Sequence, residues 1–172
     1  MTRIILVSDT HSFHEQGLFK HLSNADELWH AGDIGSHTWF EPISKQFPHL
    51  TIRAVYGNID DAKTRLSFPE TNIFKCEQVK VFMTHIGGYP DHYAKGIKEK
   101  LLAEKPLLFI CGHSHILRVI YDKKIQTLHM NPGAIGEHGF HQVKTCLSFS
   151  IHHDQIQDLK IIEFGKRGSL SN

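Results

Sequence analysis

Five short apolar segments of this chain each end in a polar residue, and they recur at nearly even intervals. The polar residues are Asp9, Asp33, Asn58, His85 and His113, so the gaps between them are 24, 25, 27 and 28 residues. Each gap is long enough for a strand, a crossover helix and the next strand. The repeat therefore predicts alternating strands and helices with these residues at the carboxyl ends of the strands.

The pattern of apolar residues supports this alternation in the first two thirds of the chain. The segment at residues 4–7, IILV, is apolar on both faces, as in a central strand covered by helices. Helices are predicted over EQGLFKHL, over SHTWFEPISKQF with Ser36 as N-cap, and over DHYAKGIKEKLLAE before Pro106. Pro42 must then lie in the first turn of its helix or mark a break.

The last third changes character and reads as consecutive strands joined by short turns. The segments LRVIYD, IQTLHMN, KTCLSFSI and IQDLKIIEF follow one another without a helical pattern between them. An alternating half followed by a run of strands predicts an α/β protein with two stacked sheets and helices outside.

Length and charge restrict the class of protein. We expect 172 residues to form one domain over residues 1–164, with a flexible tail at 165–172. The net charge of +1 provides no general electrostatic reason to bind nucleic acid or an anionic membrane. A short apolar start without a cleavage pattern, and three isolated cysteines, favour a cytoplasmic location. The oligomeric state is left open.

The polar residues at the strand ends form one candidate site. Because ligands gather outside the carboxyl ends of strands in α/β sheets, we expect these side chains at one rim. Alone, Gly-Asp and Gly-Asn are ordinary turn dipeptides, and a single histidine is usually no ligand; their joint order and spacing make coincidence the poorer explanation. The candidate ligands are Asp9, His11, Asp33, Asn58, His85, His113 and His115.

Seven such ligands exceed the need of one tetrahedral ion. Shared between two cations with one bridging carboxylate, they fill two mixed nitrogen and oxygen spheres. Mixed ligation of this kind suits two divalent transition metals, with Mn first and Fe, Zn, Co or Ni as alternatives. Two ions ~3.5–4 Å apart activate water and hold a phosphoryl group.

In this order, D-x-H, G-D, G-N, H and G-H-x-H resemble the calcineurin-like metallophosphoesterase superfamily. The length resembles its small bacterial and archaeal phosphodiesterase branch, the YfcE type, and the resemblance covers roughly residues 3–160. It implies a four-layer α/β/β/α sandwich of two mixed sheets flanked by helices. It also implies that one metal is held by Asp9, His11 and His115, the other by Asn58, His85 and His113, with Asp33 bridging.

Two departures from the family pattern concern substrate contacts. Larger relatives carry a histidine after G-N, whereas this chain has Ile59, which cannot donate a proton to a leaving group. The following Asp60 is expected to orient a ligand or cap a turn, and we include it among the candidate substrate-binding residues. Residues 131–134 read NPGA where the branch often has N-P-G-S, so His138 and His141 are candidate phosphate contacts; the alternative is two surface-loop histidines.

The resemblance implies a phosphoesterase that acts on small diesters, and also on monoesters as a lesser expectation. A hydroxide held between the metals would attack phosphorus in line, with Asp33, Asn58 and His85 as the catalytic residues. One alternative is an inactive scaffold like the retromer subunit that resembles these enzymes; another is a DNA nuclease, although no capping domain or basic surface is evident. Cyclic nucleotides, short nucleotide diesters and phospholipid-derived diesters all remain possible substrates.

Overall fold

The computed structural model describes residues 1–168 and contains twelve strands and four helices within them. In chain order these elements are β1 Thr2–Val7, α1 Gln16–Leu22, β2 Glu27–His30, α2 Glu41–Gln46, β3 Thr51–Ala54, α3 Ala62–Ser67, β4 Thr71–Cys76, β5 Val79–Thr84, β6 Gly88–Tyr89, β7 His92–Tyr93, α4 Ile97–Glu104, β8 Leu108–Ile110, β9 Leu117–Asp122, β10 Thr127–Pro132, β11 Val143–His152 and β12 Gln155–Lys166.

The strands form two five-stranded mixed sheets and one small hairpin. The first sheet has the order β12-β11-β1-β2-β3, and the second has the order β4-β5-β8-β10-β9. In the first sheet β1, β2 and β3 are parallel, while in the second β5, β8 and β10 are parallel. The five strands that precede the candidate ligands therefore divide between two sheets, three in one and two in the other.

Side-chain alternation along β1 explains the layers. Ile4 and Leu6 point into the core between the two sheets, where they join Met83 and Ile110 from the second sheet. Ile5 and Val7 point the other way, into a core completed by α1 and α2. On the far side of the second sheet, Phe82 and Phe109 pack against Ile97 and Leu101 of α4. The order helix, sheet, sheet, helix confirms the predicted fold class.

Two predicted helices start later than the sequence pattern indicated. The helix α2 begins at Glu41 with Phe40 as its N-cap, and Pro42 lies in its first turn. Ser36 is not the cap; its hydroxyl accepts a hydrogen bond from the amide of Thr38 instead. Residues 92–93 pair with residues 88–89 as a hairpin, so α4 begins only at Ile97.

The sequence pattern missed α3 and β4, and it placed the end of the last strand too early. The strand β12 continues to Lys166, two residues beyond the predicted domain boundary, and Arg167 still hydrogen-bonds to the domain. The prediction of a tail is therefore wrong for residues 165–167, and residues 169–172 lie outside the described part. Within residues 1–168 no helix has the length and apolarity needed to span a membrane.

Candidate metal centre

The two sheets bring their strand ends together, and the candidate ligands meet between them. Asp9 and Asp33 follow β1 and β2, whereas His85 and His113 follow β5 and β8 of the other sheet. The ring Nε2 of His85 lies 3.2 Å from Asp33 Oδ1 and 3.9 Å from Asp9 Oδ1. The side-chain oxygen of Asn58 lies 3.2 Å from the same nitrogen. The predicted rim thus exists, but it is built from two sheets.

The ligand atoms fall into two neighbouring groups. In one, atoms of Asp9, His11 and His115 all lie within 4.8 Å of one another; in the other, atoms of Asp33, His85 and His113 do so. The members of each group agree with the division that the family resemblance implies, with Asn58 beside the second group.

Asp33 faces both groups with different oxygens. Its Oδ1 lies 3.2 Å from His85 Nε2, while its Oδ2 lies 3.7 Å from His11 Nε2. The amide of Ile59 donates a hydrogen bond of 3.1 Å to Oδ1 and helps to hold the carboxylate in this orientation. This is the placement that a bridging ligand needs.

The residues fit divalent cations because two buried polar atoms of the described site lack hydrogen-bond partners. Within the described chain, Asp9 Oδ1 and His11 Nε2 are buried without a hydrogen-bond partner. Such atoms are costly in a folded protein unless something compensates them. Two inward-facing acceptors of this kind, next to further carboxylate and imidazole ligands, are the donor set that a transition metal satisfies.

The ring of His85 is held as a metal ligand would be. Its Nδ1 lies 2.8 Å from the carbonyl oxygen of Ala31, which can only accept, so Nδ1 carries a proton. In the neutral ring, Nε2 then presents a lone pair toward oxygens of Asp33 and Asn58, an arrangement that a cation would relieve.

In the second ligand group, the neighbouring carboxylates favour a positive charge at His85. Burial lowers the pKa of His85, but the hydrogen bond to Asp33 and the charges of Asp9 and Asp33 raise it, and the net pKa lies above its ordinary value. Burial raises the pKa of Asp33, but its contacts with His85 outweigh this effect, and the net pKa lies below its ordinary value. At His11 burial dominates and lowers the pKa, so this ring is kept neutral and able to bind a metal.

Glycines before three ligands make the close approach of these elements possible. A Cβ on Gly32 would lie 2.6 Å from His85 Nδ1, and one on Gly112 would lie 2.9 Å from Asp9 Oδ2. A Cβ on Gly57 would overlap the Asp33 carboxylate. The Gly-Asp, Gly-Asn and Gly-His pairs are therefore not simply turns, because a larger residue would displace a ligand.

Five candidate ligands have a left-handed backbone, which costs a non-glycine residue ~1–2 kcal/mol. Such strain persists where the surrounding structure holds it, and it concentrates at functional sites. These residues and their φ angles are Asp9 at 55°, His11 at 47°, Asp33 at 54°, His113 at 66° and His115 at 57°.

Asp60 has a structural role that differs from the predicted substrate contact. It is buried, and its carboxylate accepts hydrogen bonds from the backbone amides of Gly57 and Gly35, both 2.7 Å, and Ile34, 3.2 Å. The carboxylate thus fastens the loop after β3 to the loop after β2. The prediction of Asp60 as a substrate-binding residue is corrected on this point, whereas its role in a turn agrees.

The two histidines after residue 134 occupy different places. His138 is exposed, and its ring centroid lies 5.3 Å from that of His11, so it lies beside the first ligand group. His141 turns its ring toward His115, with the two Nδ1 atoms 3.3 Å apart. His138 therefore remains a candidate for substrate contact. His141 instead contacts the candidate ligand His115.

Several supporting residues gave no signal in the sequence. Lys144 is buried in β11, where its ammonium lies 2.7 Å from Glu15 and 2.9 Å from Glu137. Arg65 donates to the backbone oxygens of Asp60, at 2.7 Å, and Asn58, at 3.0 Å, and holds the loop after β3. Their partners are distant in sequence or belong to the backbone, so no motif marks them.

Fold and site together define a class of protein: a two-sheet α/β sandwich with a candidate centre for two divalent metals at its strand ends. A family model described as the calcineurin-like phosphoesterase superfamily domain matches residues 2–154. The chain therefore belongs to the calcineurin-like phosphoesterase superfamily, as the sequence motifs indicated. A search of curated proteins finds no match.

Solved structures share the fold at low sequence identity. Vps29 from Entamoeba histolytica, complexed with Zn²⁺, has a TM-score of 0.71 and 14% identity over 95% of this chain and 99% of that chain. A predicted phosphoesterase from Streptococcus pneumoniae has a TM-score of 0.63 and 20% identity over 94% and 97%. The phosphoesterase Yfce from E. coli has a TM-score of 0.56 and 17% identity over 92% and 98%.

Proposed function

We propose that this chain is a two-metal phosphoesterase that hydrolyses phosphodiester bonds of a small substrate. The observation that carries the proposal is the position of Asp33, which directs one carboxylate oxygen to His85 and the other to His11. A shared carboxylate between two ligand groups is what a pair of adjacent metal ions requires. Membership of the phosphoesterase superfamily supports phosphorus as the centre that reacts.

The residues of the chain have separable tasks in this proposal. When bound, two divalent ions supply Lewis acidity that activates water and neutralises charge on the phosphoryl oxygens. The Ala31 carbonyl keeps Nε2 of His85 available, and the amide of Ile59 keeps Asp33 in its bridging orientation. Exposed His138, beside His11, is proposed to contact the substrate phosphate.

The proposed reaction lacks a proton donor for the leaving group at residue 59. Ile59 occupies the position where larger relatives have a histidine, and its side chain is 44% exposed and has no proton to give. Without a general acid there, substrates with acidic leaving groups are expected to react fastest. The preference for diesters rests on the resemblance to the small phosphodiesterase branch, and Mn²⁺ is proposed as the metal because imidazole and carboxylate ligands are mixed.

The test is metal reconstitution. The chain is stripped with a chelator and titrated with Mn²⁺, while hydrolysis of bis-p-nitrophenyl phosphate and of p-nitrophenyl phosphate is followed by the absorbance of the released p-nitrophenolate. This good leaving group needs no general acid. We expect diester hydrolysis only with Mn²⁺, and a slower reaction of the monoester. A parallel titration with Ca²⁺, which prefers oxygen ligands, is the matched control.

The solved structures do not distinguish the enzyme from the scaffold alternative. The Zn²⁺ complex of Vps29 superposes with a TM-score of 0.71, compared with 0.56 for the phosphoesterase Yfce. At these identities the comparison concerns the fold alone, and it does not decide activity. Two bound metals without hydrolysis of either ester would contradict the enzyme proposal and favour a scaffold.

A further inference from the structure

A short loop after β10 places a histidine behind one of the candidate ligands. Residues 136–141, here called the histidine loop, end in His141, whose ring Nε2 lies 2.9 Å from the carbonyl oxygen of Gly136. The other ring nitrogen, Nδ1, lies 3.3 Å from Nδ1 of His115. The three groups form a chain that runs from the backbone of the loop to the metal centre.

The direction of the hydrogen bonds in this chain follows from its first member. A carbonyl oxygen can only accept, so Nε2 of His141 carries the proton and Nδ1 of the neutral ring is an acceptor. The proton between the two rings therefore belongs to Nδ1 of His115. The Nε2 lone pair of His115 is then left facing Asp9 Oδ1 at 3.1 Å, the orientation of a metal ligand.

The histidine loop is fastened on several sides, so the contact of His141 is built into the fold. The amide of Gly136 donates to the Asp9 carbonyl at 3.1 Å, and Glu137 pairs with buried Lys144. Arg167, beyond the end of β12, donates to the backbone oxygen of His141 at 3.1 Å. These contacts hold the loop from its first residue to its last.

A glycine in the loop shows how closely it packs on the ligand. Gly139 has a φ of 116°, and a Cβ at this position would overlap the ring of His115. The backbone of the histidine loop therefore lies directly against His115, which limits the rotation of that ring.

We propose that His141 is a positioning residue that fixes the tautomer and orientation of His115 for metal binding. The inference rests on the proposed two-metal centre and concerns only its first ligand group, Asp9, His11 and His115. His141 is not a member of this group, and its Nδ1 faces Nδ1 of His115. Outer partners of metal-bound histidines raise metal affinity by ~10–100-fold.

Two variants of nearly equal shape separate the hydrogen bond from packing. In His141→Asn the side-chain oxygen can replace Nδ1 as acceptor, whereas His141→Leu has the same branching and no polar atom. Phe140→Ala, in the same loop, removes a fully exposed ring and is the matched control. Thermal unfolding of the metal-free proteins verifies that each variant is folded.

Metal affinity is measured by isothermal titration of the metal-free chain with Mn²⁺. We expect two binding steps in the wild type, of which one is weakened ~10-fold or more in His141→Leu while the other is unchanged. His141→Asn should recover most of the loss, and Phe140→Ala should match the wild type. Equal affinity in wild type and His141→Leu, or equal loss in the Asn and Leu variants, would overturn the inference.

This experiment separates the inference from the proposed function. Weakened binding in His141→Leu supports the positioning role whether or not the wild-type chain hydrolyses esters. A wild-type chain that binds no Mn²⁺ would overturn the metal centre and this inference together. Unchanged binding in His141→Leu would overturn the inference alone.

Discussion

The two halves of the candidate metal centre, the groups around His85 and around His115, are supported in different ways. In the half around His85, the ring is 2% exposed and its proton is held by the backbone carbonyl of Ala31, the residue directly after β2, whose amide donates to the carbonyl of Val7 in β1. In the half around His115, the ring is partly exposed and its neighbour is another side chain, His141, on a loop. The first support depends on strand pairing, whereas the second depends on contacts between distant segments.

This difference shows that similar ligands can differ in how easily their geometry is lost. A backbone acceptor tied to the end of a strand moves only if that strand pairing opens, but a side-chain acceptor moves with its loop. We therefore expect changes near Lys144 and Arg167 to affect the His115 half before the His85 half. The following four predictions test that asymmetry, from the largest expected effect to the smallest.

Replacement of the shared carboxylate, Asp33, should impair both halves of the centre. Asp33→Asn keeps the shape of the side chain but removes the charge that faces both His11 and His85. We expect a loss of ~10³-fold in diester hydrolysis, equivalent to about 4 kcal/mol, and weaker binding in both metal steps. The control is Asp26→Asn, an exposed carboxylate paired with Arg3. An Asp33→Asn protein that keeps its rate and both metals would contradict the bridging assignment.

Loss of the buried cation should damage the His115 half most. Lys144→Met removes the buried ammonium that lies 2.7 Å from Glu15 and 2.9 Å from Glu137, and we expect the free energy of unfolding to fall by about 3 kcal/mol or more. Urea denaturation measures it. Lys80→Met is the matched control, because Lys80 also pairs with a glutamate at 2.7 Å but is 33% exposed. We expect that change to cost less than ~1 kcal/mol; equal losses would show that burial is not the cause.

Acid should weaken both halves together through His30. Gly32 donates to His30 Nδ1 and His30 Nε2 bonds to Thr10, so this fully buried ring must be neutral. Burial, the largest cause, lowers its pKa to about 3. Unfolded His30, with a pKa of ~6.5, binds more protons between these values, so stability is lost as pH falls below ~6.5.

At pH 5 the loss from His30 should reach ~2 kcal/mol relative to pH 7.5, since each pH unit is worth ~1.4 kcal/mol. Urea unfolding of the metal-free chain at both pH values measures it. In His30→Leu the difference between the two pH values should shrink by that amount, although the variant is less stable at both. A variant with the same pH dependence as the wild type would assign the loss to other groups.

The smallest expected effect concerns the end of the chain. Arg167→Ala removes donors to the backbone oxygens of Glu137 and His141 at the surface. We expect a loss of about 1 kcal/mol in stability and a several-fold weakening of one Mn²⁺ step. Titration calorimetry checks this, with Lys160→Ala as the control at another position of the first sheet. Equal weakening of both steps would contradict the asymmetry between the halves.

Much of the fold followed from the apolar pattern, with errors where local signals conflict. Four strands in the last third and the α/β alternation before them are confirmed. Ser36 is a favourable N-cap residue, yet α2 begins at Glu41. The helix predicted from Asp91 is present but begins only at Ile97, because tertiary pairing of residues 88–89 with 92–93 outweighs local propensity. The short elements α3 and β4 were missed because their apolar residues show no strong periodicity.

The convergence of the candidate ligands was predictable because they follow strands, whereas the contacts that support them were not. Asp60 resembled a substrate contact by its place after Gly-Asn-Ile, but its buried carboxylate accepts backbone amides from two loops. His141 lies outside the motifs that mark the ligands, and its contact with His115 depends on how residues 136–141 fold back. A one-dimensional pattern records side-chain types and does not record which distant backbone atoms they meet.

The sequence by itself determined the alternation of strands and helices, the family and the residues that converge on the centre. These features depend on local periodicity and on motifs whose spacing is visible along the chain. Only the tertiary structure decided that the ligands divide between two sheets, that Asp33 faces both groups, and that Lys144 and His141 support one half. The physical reason is that sheet stacking, buried charge pairing and histidine tautomers arise from contacts between residues far apart in the chain.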